Sequence, residues 1–235
     1  YNFTYQPKSA LTFTLGGAYN EYKGKHFGEV IWAQYASNGQ YGDHYYDNKG
    51  DKSDFNIFGK VLFSPSEKIS LFADLQYRRI NYEVAGTDKN LSLLAVRDEM
   101  NFFNPKVGAT YFVNPQSNIY ASFSVANKEP NRDDYVNATP GLFPLAERLY
   151  NTEMGYRIKT TRFNAGLNVY GMFYKDQLVV TGKINDVGES IRQNVSESYR
   201  IGAELDASYT LSKQFVLSAN AALSRNKISN FVDYL

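Results

Sequence analysis

Trp32, Tyr35, Tyr41, His44, Tyr45 and Tyr46 fall within one short stretch, interspersed with Gly, Asn and Asp. Such rings offer rigid contact area at low entropy cost and stack on planar or sugar faces, so the stretch could recognise a catechol chelate, a corrin or a glycan. The competing use is a lid in which the rings pack on one another. A second group of polar residues runs from Lys128 to Asp134; here Arg132 is the candidate for ligand contact, and an ion-pair cluster that pins a loop inward is the alternative. Asp43, Asp47, Asn48, Asp51 and Asp54 could set several hard oxygens around calcium, but they lack EF-hand spacing and read first as a solvated acidic loop. The only histidines are His26 and His44, and there is no Cys, which removes disulfides, thiolate metal sites and Cys nucleophiles. No cofactor and no resident metal is expected.

Catalytic patterns are missing as well. The chain carries no G-x-S-x-G, no HExxH, no phosphate-cradling P-loop and no dinucleotide fingerprint. Asp98-Glu99 and Asp133-Asp134 are sequence neighbours, which on a strand point to opposite faces and cannot act as an acid and base pair. The expectation is a protein that is not an enzyme. With 25 Lys and Arg against 24 Asp and Glu the net charge is +1, so there is no footprint for nucleic acid.

The elements that must position these residues are marked by five short polar turns: Pro7-Lys8-Ser9, Ser64 to Lys68, Asn114 to Ser117, Lys159 to Arg162 and Thr210 to Gln214. They recur at roughly 50-residue intervals, too long for one hairpin and right for two long strands joined by a loop at their far ends. Between them the chain alternates. Ile69, Leu71, Ala73, Leu75 and Tyr77 oppose Ser70, Asp74, Gln76 and Arg78, with Phe72 as the exception; Phe163, Ala165, Leu167 and Val169 oppose Asn164 and Asn168; Ile201, Ala203, Leu205 and Ala207 oppose Arg200, Glu204, Asp206 and Ser208. Periodicity alone allows a soluble sheet with one buried face, but runs of about 12 residues suit a tilted strand crossing a bilayer. The fold class is therefore all-β: an antiparallel transmembrane β-barrel of which about ten strands are present, from a total of roughly 22 in the largest common receptor barrels. Tyr5, Tyr19, Tyr22, Phe63, Tyr77, Phe112, Tyr120, Tyr156, Tyr174 and Tyr209 are expected to form interfacial girdles, with plain β-propensity as the alternative.

Strand-like sequence begins at Tyr1, so residues 1–235 are expected to be one partial barrel domain within a longer protein. Placing the short turns in the periplasm puts segments 23–52, 84–101, 128–150, 175–190 and 227–235 outside the cell. Arg78, Arg157 and Arg200 then face the lumen, to pair with Glu153, Glu204 or Asp206, to bond a plug, or to select an anionic ligand.

The run Ser124-Val125-Ala126-Asn127-Lys128-Glu129-Pro130-Asn131-Arg132-Asp133-Asp134-Tyr135, followed by Ala146-Glu147-Arg148-Leu149-Tyr150-Asn151-Thr152-Glu153-Met154-Gly155-Tyr156-Arg157, resembles a paired signature in the barrel of TonB-dependent outer-membrane receptors, although Ala146 stands where that family commonly has Pro. Phe173 to Leu178, Asn194-Val195 and Tyr199 to Leu205 resemble the family's next two strands, and Gly24 to Trp32 is similar to an outer loop in receptors of Bacteroidetes-type bacteria. The resemblance implies a bacterial outer-membrane receptor whose barrel sits in lipid, encloses its own plug domain, and takes up a bulky ligand under TonB drive. The expected cargo is an iron chelate of the siderophore type, with haem, cobalamin or a glycan behind it. A passive porin or adhesin barrel without energy coupling is the alternative.

Overall fold

The computed structural model describes residues 1–35, 39–89, 91–138, 142–184, 190–229 and 231. Ten strands follow one another: β1 Asn2–Lys8, β2 Leu11–Glu29, β3 His44–Ser66, β4 Ile69–Thr87, β5 Leu93–Asn114, β6 Ser117–Lys128, β7 Glu147–Lys159, β8 Phe163–Ile184, β9 Ser190–Thr210 and β10 Val216–Ile228, with a short helix α1, Arg132–Val136, between β6 and β7. Each pairs antiparallel with its neighbour in a single sheet of order β1 to β10. All five short turns read from the sequence join consecutive strands. The sheet is open, since β1 and β10 do not pair with each other.

Register explains how deep the apolar surface runs. In β4 the outward residues are Ile69, Leu71, Ala73, Leu75 and Tyr77, and the next outward ones are Arg79, Asn81 and Glu83. Leu11 to Tyr19 of β2, Phe55 to Phe63 of β3 and Phe103 to Tyr111 of β5 lie beside them, each nine residues long like Ile69 to Tyr77. Nine is what a tilted strand needs to cross the hydrocarbon, so strands of 19 to 23 residues rise well beyond it with polar residues on both faces. The band continues through Val107, Phe123, Met154, Val169, Leu167 and Leu205, all with large exposed side chains. Exposed apolar surface on this scale is unviable in water and natural in lipid.

Several sequence readings shift here. Tyr22, Tyr120 and Tyr174 were expected in the girdles, but their parity places them on the polar face, where Tyr120 donates to Asn168 Oδ1 at 2.9 Å and Tyr174 to Met172 Sδ at 3.6 Å. Phe72, the apolar exception on that face, lies over Gly108, its cross-strand partner, where a Cβ would collide with the ring. The ring covers backbone that glycine leaves bare. Much of segment 23–52 is hairpin: β2 and β3 stay paired up to Glu29 and His44, so His44, Tyr45 and Tyr46 belong to a strand and only residues 30–43 join the two.

The position of β6 follows from Pro105. Proline cannot donate to a ladder, and β5 pairs with β6 only from Lys106 to Asn114. Above that point the Asn104 side chain takes over: its Oδ1 accepts from the Asn127 backbone N–H at 3.0 Å and from Asn127 Nδ2 at 2.8 Å.

The lipid-facing assignment makes a prediction. Leu167→Arg, placed between Tyr156 and Leu205, should weaken folding into bilayers by about 2–4 kcal/mol near the midplane. Ser208→Arg, on the opposite face beside Asn164 and Ser218, should cost much less. Refolding into lipid vesicles, monitored by heat-modifiable gel mobility, measures both; equal losses would remove the lipid-facing assignment.

Candidate ligand site at the mouth of the barrel

Residues 129–138 and 142–146, between β6 and β7, fold back across the polar face as a strap that is held from both sides. On the first side Glu129 reaches β3 and β4. Its Oε1 accepts from Lys52 Nζ at 2.8 Å and from Arg78 Nη2 at 3.0 Å, and its Oε2 accepts from Arg78 Nη1 at 2.8 Å. Arg78 also donates through Nε to both Asp54 oxygens, at 3.0 and 3.1 Å. The parity of the strands puts Lys52, Asp54 and Arg78 on this face, and register sets Asp54 and Arg78 two positions apart across the β3–β4 pair.

Helix α1 forms because Asn131 caps it: the Asn131 side chain accepts from the Asp134 N–H at 3.0 Å, and the Asp134 side chain accepts from the Asn131 N–H at 2.8 Å. From this turn Arg132 Nη2 donates to Asn48 Oδ1 on β3 at 3.2 Å, and Tyr135 Oη donates to Asp98 Oδ2 on β5 at 2.6 Å while its ring stacks on Tyr82 of β4 with centroids 5.4 Å apart. The other side of the strap meets β9. Asp134, 1 % exposed, accepts from Arg192 Nη1 at 3.3 Å; the Arg192 N–H donates to the Asn137 carbonyl; and Asn194 brackets the Leu145 backbone, accepting its N–H at 2.8 Å and donating to its carbonyl at 2.9 Å. Asn194 Nδ2 also donates to the carbonyl of Asp176, a residue held at φ 54°, where Asp is tolerated better than most.

These contacts reveal the curvature. On a flat sheet, β3 and β9 would lie about 29 Å apart, six steps of about 4.8 Å. Arg132 and Asp134, two residues apart on α1, reach both strands. The polar face is therefore concave, and the strap roofs it.

Beneath the strap's first turn is a cleft of about 450 Å³. Ile80, 0 % exposed, Met100 and Pro130 are buried packing behind it, and Tyr22, Tyr82, Lys52, His26 and Arg132 supply rings and charge. Tyr22 Oη and His26 Nε2 are 3.3 Å apart. Arg132 forms no ion pair among the described residues, and its Nε is buried without a hydrogen-bond partner.

The structure divides the sequence-derived candidates. Tyr46 and Arg132 line one smaller cleft together with His26 and Asp133. His44 stacks on Phe27 with centroids 4.4 Å apart and lies 3.0 Å from Asp47, and Tyr45 meets Tyr46 edge-on while covering Gly28. Trp32, Tyr35 and Tyr41 stand apart from these, 77 %, 88 % and 85 % exposed, at the outer end of the β2–β3 hairpin. Among the described residues no group of three or more His, Cys, Asp and Glu is arranged to hold a metal ion. Arg157 lies over the Tyr120 ring at 4.6 Å and Arg200 donates to Asn226, so neither takes the carboxylate partners expected from the sequence. Lys52, Tyr82, Asp98, Arg192 and Asn194 were not singled out as site residues, and Asp54 was weighed only as a calcium ligand. Their shared facing was legible, but their meeting required the strap.

The class is thus a long-stranded antiparallel sheet of transmembrane barrel type, apolar outside, with a roofed polar interior. The chain matches the family described as TonB dependent receptor-like, beta-barrel, over residues 1–234, and it belongs to that family. Similar solved structures include the copper transporter OprC (TM-score 0.77, 16 % identity, covering 97 % of this chain and 37 % of that one), the FrpB iron transporter from Neisseria meningitidis (F3-3 variant; 0.69, 16 %, 97 % and 34 %) and the ferric-catecholate import receptor Fiu from E. coli K12 in its closed form (0.71, 13 %, 99 % and 37 %). At these identities the likeness shows the fold, and the chain spans little more than a third of each of these proteins. No curated protein matches.

Electrostatics of the strap set its pH response. Burial pushes the Glu129 carboxyl up, but hydrogen bonds from Lys52 and Arg78 outweigh it and hold the group at about 2, below its ordinary 4.5. A depressed carboxyl contributes stability in full above its unfolded value and loses it as pH falls through the folded value. Strap docking should accordingly hold at pH 5 and above and weaken between about pH 4.5 and pH 2, read as a lengthening distance between spin labels at Lys49 and Asp133. Burial, then the bond to Asp98, raises the Tyr135 hydroxyl well above the usual tyrosine value, so it stays a donor at every working pH. Tyr135→Phe leaves the Asp98 carboxylate short of a donor and should lower hydrogen-exchange protection of the strap by about 1.5–3 kcal/mol.

Proposed function

We propose that the intact protein is a bacterial outer-membrane receptor that takes up a bulky nutrient through TonB-coupled transport, with an iron chelate of the siderophore type as cargo and haem, cobalamin or a glycan as the alternatives. The observation that carries this reading is the inward strap of a TonB-dependent receptor barrel, which roofs a cleft combining apolar floor, tyrosine rings and cations. Such a cleft suits a ligand with aromatic groups and negative charge. Membership of the family supports a plug inside the barrel and TonB as the energising partner. The exposed rings of Trp32, Tyr35 and Tyr41, with Tyr45, Tyr46, His44 and Arg132 nearer the wall, form the proposed ligand-contact set.

In cells carrying the full-length receptor as the only route, uptake of a radiolabelled ferric catecholate should require the receptor and stop when the proton gradient is dissipated. Uptake that persists without the gradient would replace the energised reading with a passive one.

The hairpin tip has its own test. Trp32 and Tyr41 are so exposed that replacing both by Ala should leave barrel assembly intact while weakening binding of the transported chelate at least about tenfold, roughly 1.4 kcal/mol. Equilibrium binding to the purified receptor decides it, and unchanged affinity would confine recognition to the cleft.

A further inference from the structure

The contact that pins the strap has the form of an occupied binding site. Three donors converge on one carboxylate: Lys52 Nζ at 2.8 Å, Arg78 Nη1 at 2.8 Å and Arg78 Nη2 at 3.0 Å. Both cations belong to the wall, on β3 and β4. The carboxylate belongs to Glu129, on the strap. Asp54, the wall's own acid, engages the Nε side of the guanidinium and balances one of the two positive charges. What remains is a seat of net charge +1 with a guanidinium edge and an ammonium facing the concave side, a geometry that takes carboxylates in bidentate fashion.

The seat also opens where a ligand would lie. Lys52 and Glu129 both line the 450 Å³ cleft, whose accessible apolar surface is on the rings of Tyr22 and Tyr82 above the buried Ile80 and Met100. Resting on the uptake reading above, we propose that Lys52 and Arg78 form a seat for the carboxylate of a ring-bearing ligand, that Glu129 fills it in the unliganded receptor, and that the ligand displaces Glu129 and frees the strap's entry at Glu129 and Pro130. The exchange replaces one carboxylate by another, so no cation is left unpaired. Glu129, whose side chain is 18 % exposed in the docked strap, moves fully into water, where its charge is solvated. The net gain comes from the ligand's ring, which covers the apolar surface beside the seat. The later holds, Arg132 on Asn48, Tyr135 on Asp98, Asp134 on Arg192 and Asn194 on Leu145, stay in place, so the strap opens only at its entry.

The test uses the full-length receptor in detergent and two probes, salicylate as a ring-bearing carboxylate and salicylamide as its neutral counterpart. Glu129→Ala, with assembly checked by heat-modifiable mobility, should bind salicylate at least about tenfold more tightly than wild type and salicylamide no more tightly. Adding Arg78→Gln should abolish the gain. If the alanine variant does not assemble, Glu129→Gln replaces it, with the same order of affinities expected. No gain for salicylate, or an equal gain for salicylamide, overturns the seat. With the rest of the receptor unchanged, a nitroxide at Pro130 should become more mobile at saturating salicylate; unchanged mobility overturns the displacement. None of these readouts depends on transport, so their failure leaves chelate uptake standing, and failed uptake in cells leaves the seat standing.

Discussion

Lipid offers the backbone no hydrogen-bond partners, and the rest of this structure is arranged around that demand. Through the nine-residue apolar band the ladder runs from strand to strand, and side chains alternate between hydrocarbon and interior. Pro105 lies just inside the band's upper end at Phe103; there the β5–β6 ladder ends and a side-chain amide, that of Asn104, stands in for it. Above this point β5 and β6 are free to diverge, and the chain between β6 and β7 can turn inward.

What turns inward is held by polar contacts, and their quality explains why the strap has one position. Asn48 and Asp134 are each 1 % exposed, so each must be satisfied: Asn48 receives Arg132 and donates to the Thr87 carbonyl, while Asp134 closes the helix cap and takes Arg192. A buried polar group left unpaired costs more than the bond it forgoes, so these pairings discriminate sharply against alternative strap positions. The Glu129 contact differs in kind. It joins a carboxylate that still reaches solvent to cations that another carboxylate could serve equally well, which makes it the proposed point of exchange.

The apolar cleft and the exposed hairpin rings occupy different heights of the same mouth. Trp32, Tyr35 and Tyr41 are largely exposed, and in the proposed ligand-contact set they would stack in water, where desolvation costs little. The cleft lies beneath the strap beside Tyr22 and Tyr82. Under the proposed uptake, capture at the hairpin and seating in the cleft would be separate steps.

Much of this was legible in the residues. The five polar turns, the alternation from Ile69 to Arg78 and from Phe163 to Val169, and the basic and acidic run after Asn127 were enough to specify strands, facing, membrane crossing and a loop pinned by charge, because a period of two and the apolarity of lipid are local constraints. Parity alone would also have moved Tyr22, Tyr120 and Tyr174 from the girdles to the interior. The partners of Glu129, Tyr135 and Asp134 could not be read in this way. Lys52, Arg78, Asp98 and Arg192 lie 77, 51, 37 and 58 residues from the groups they bind. Only the curl of the sheet, which brings β3 and β9 within reach of one five-residue helix, decides that they meet, and that curl is a property of ten strands together and of no segment alone.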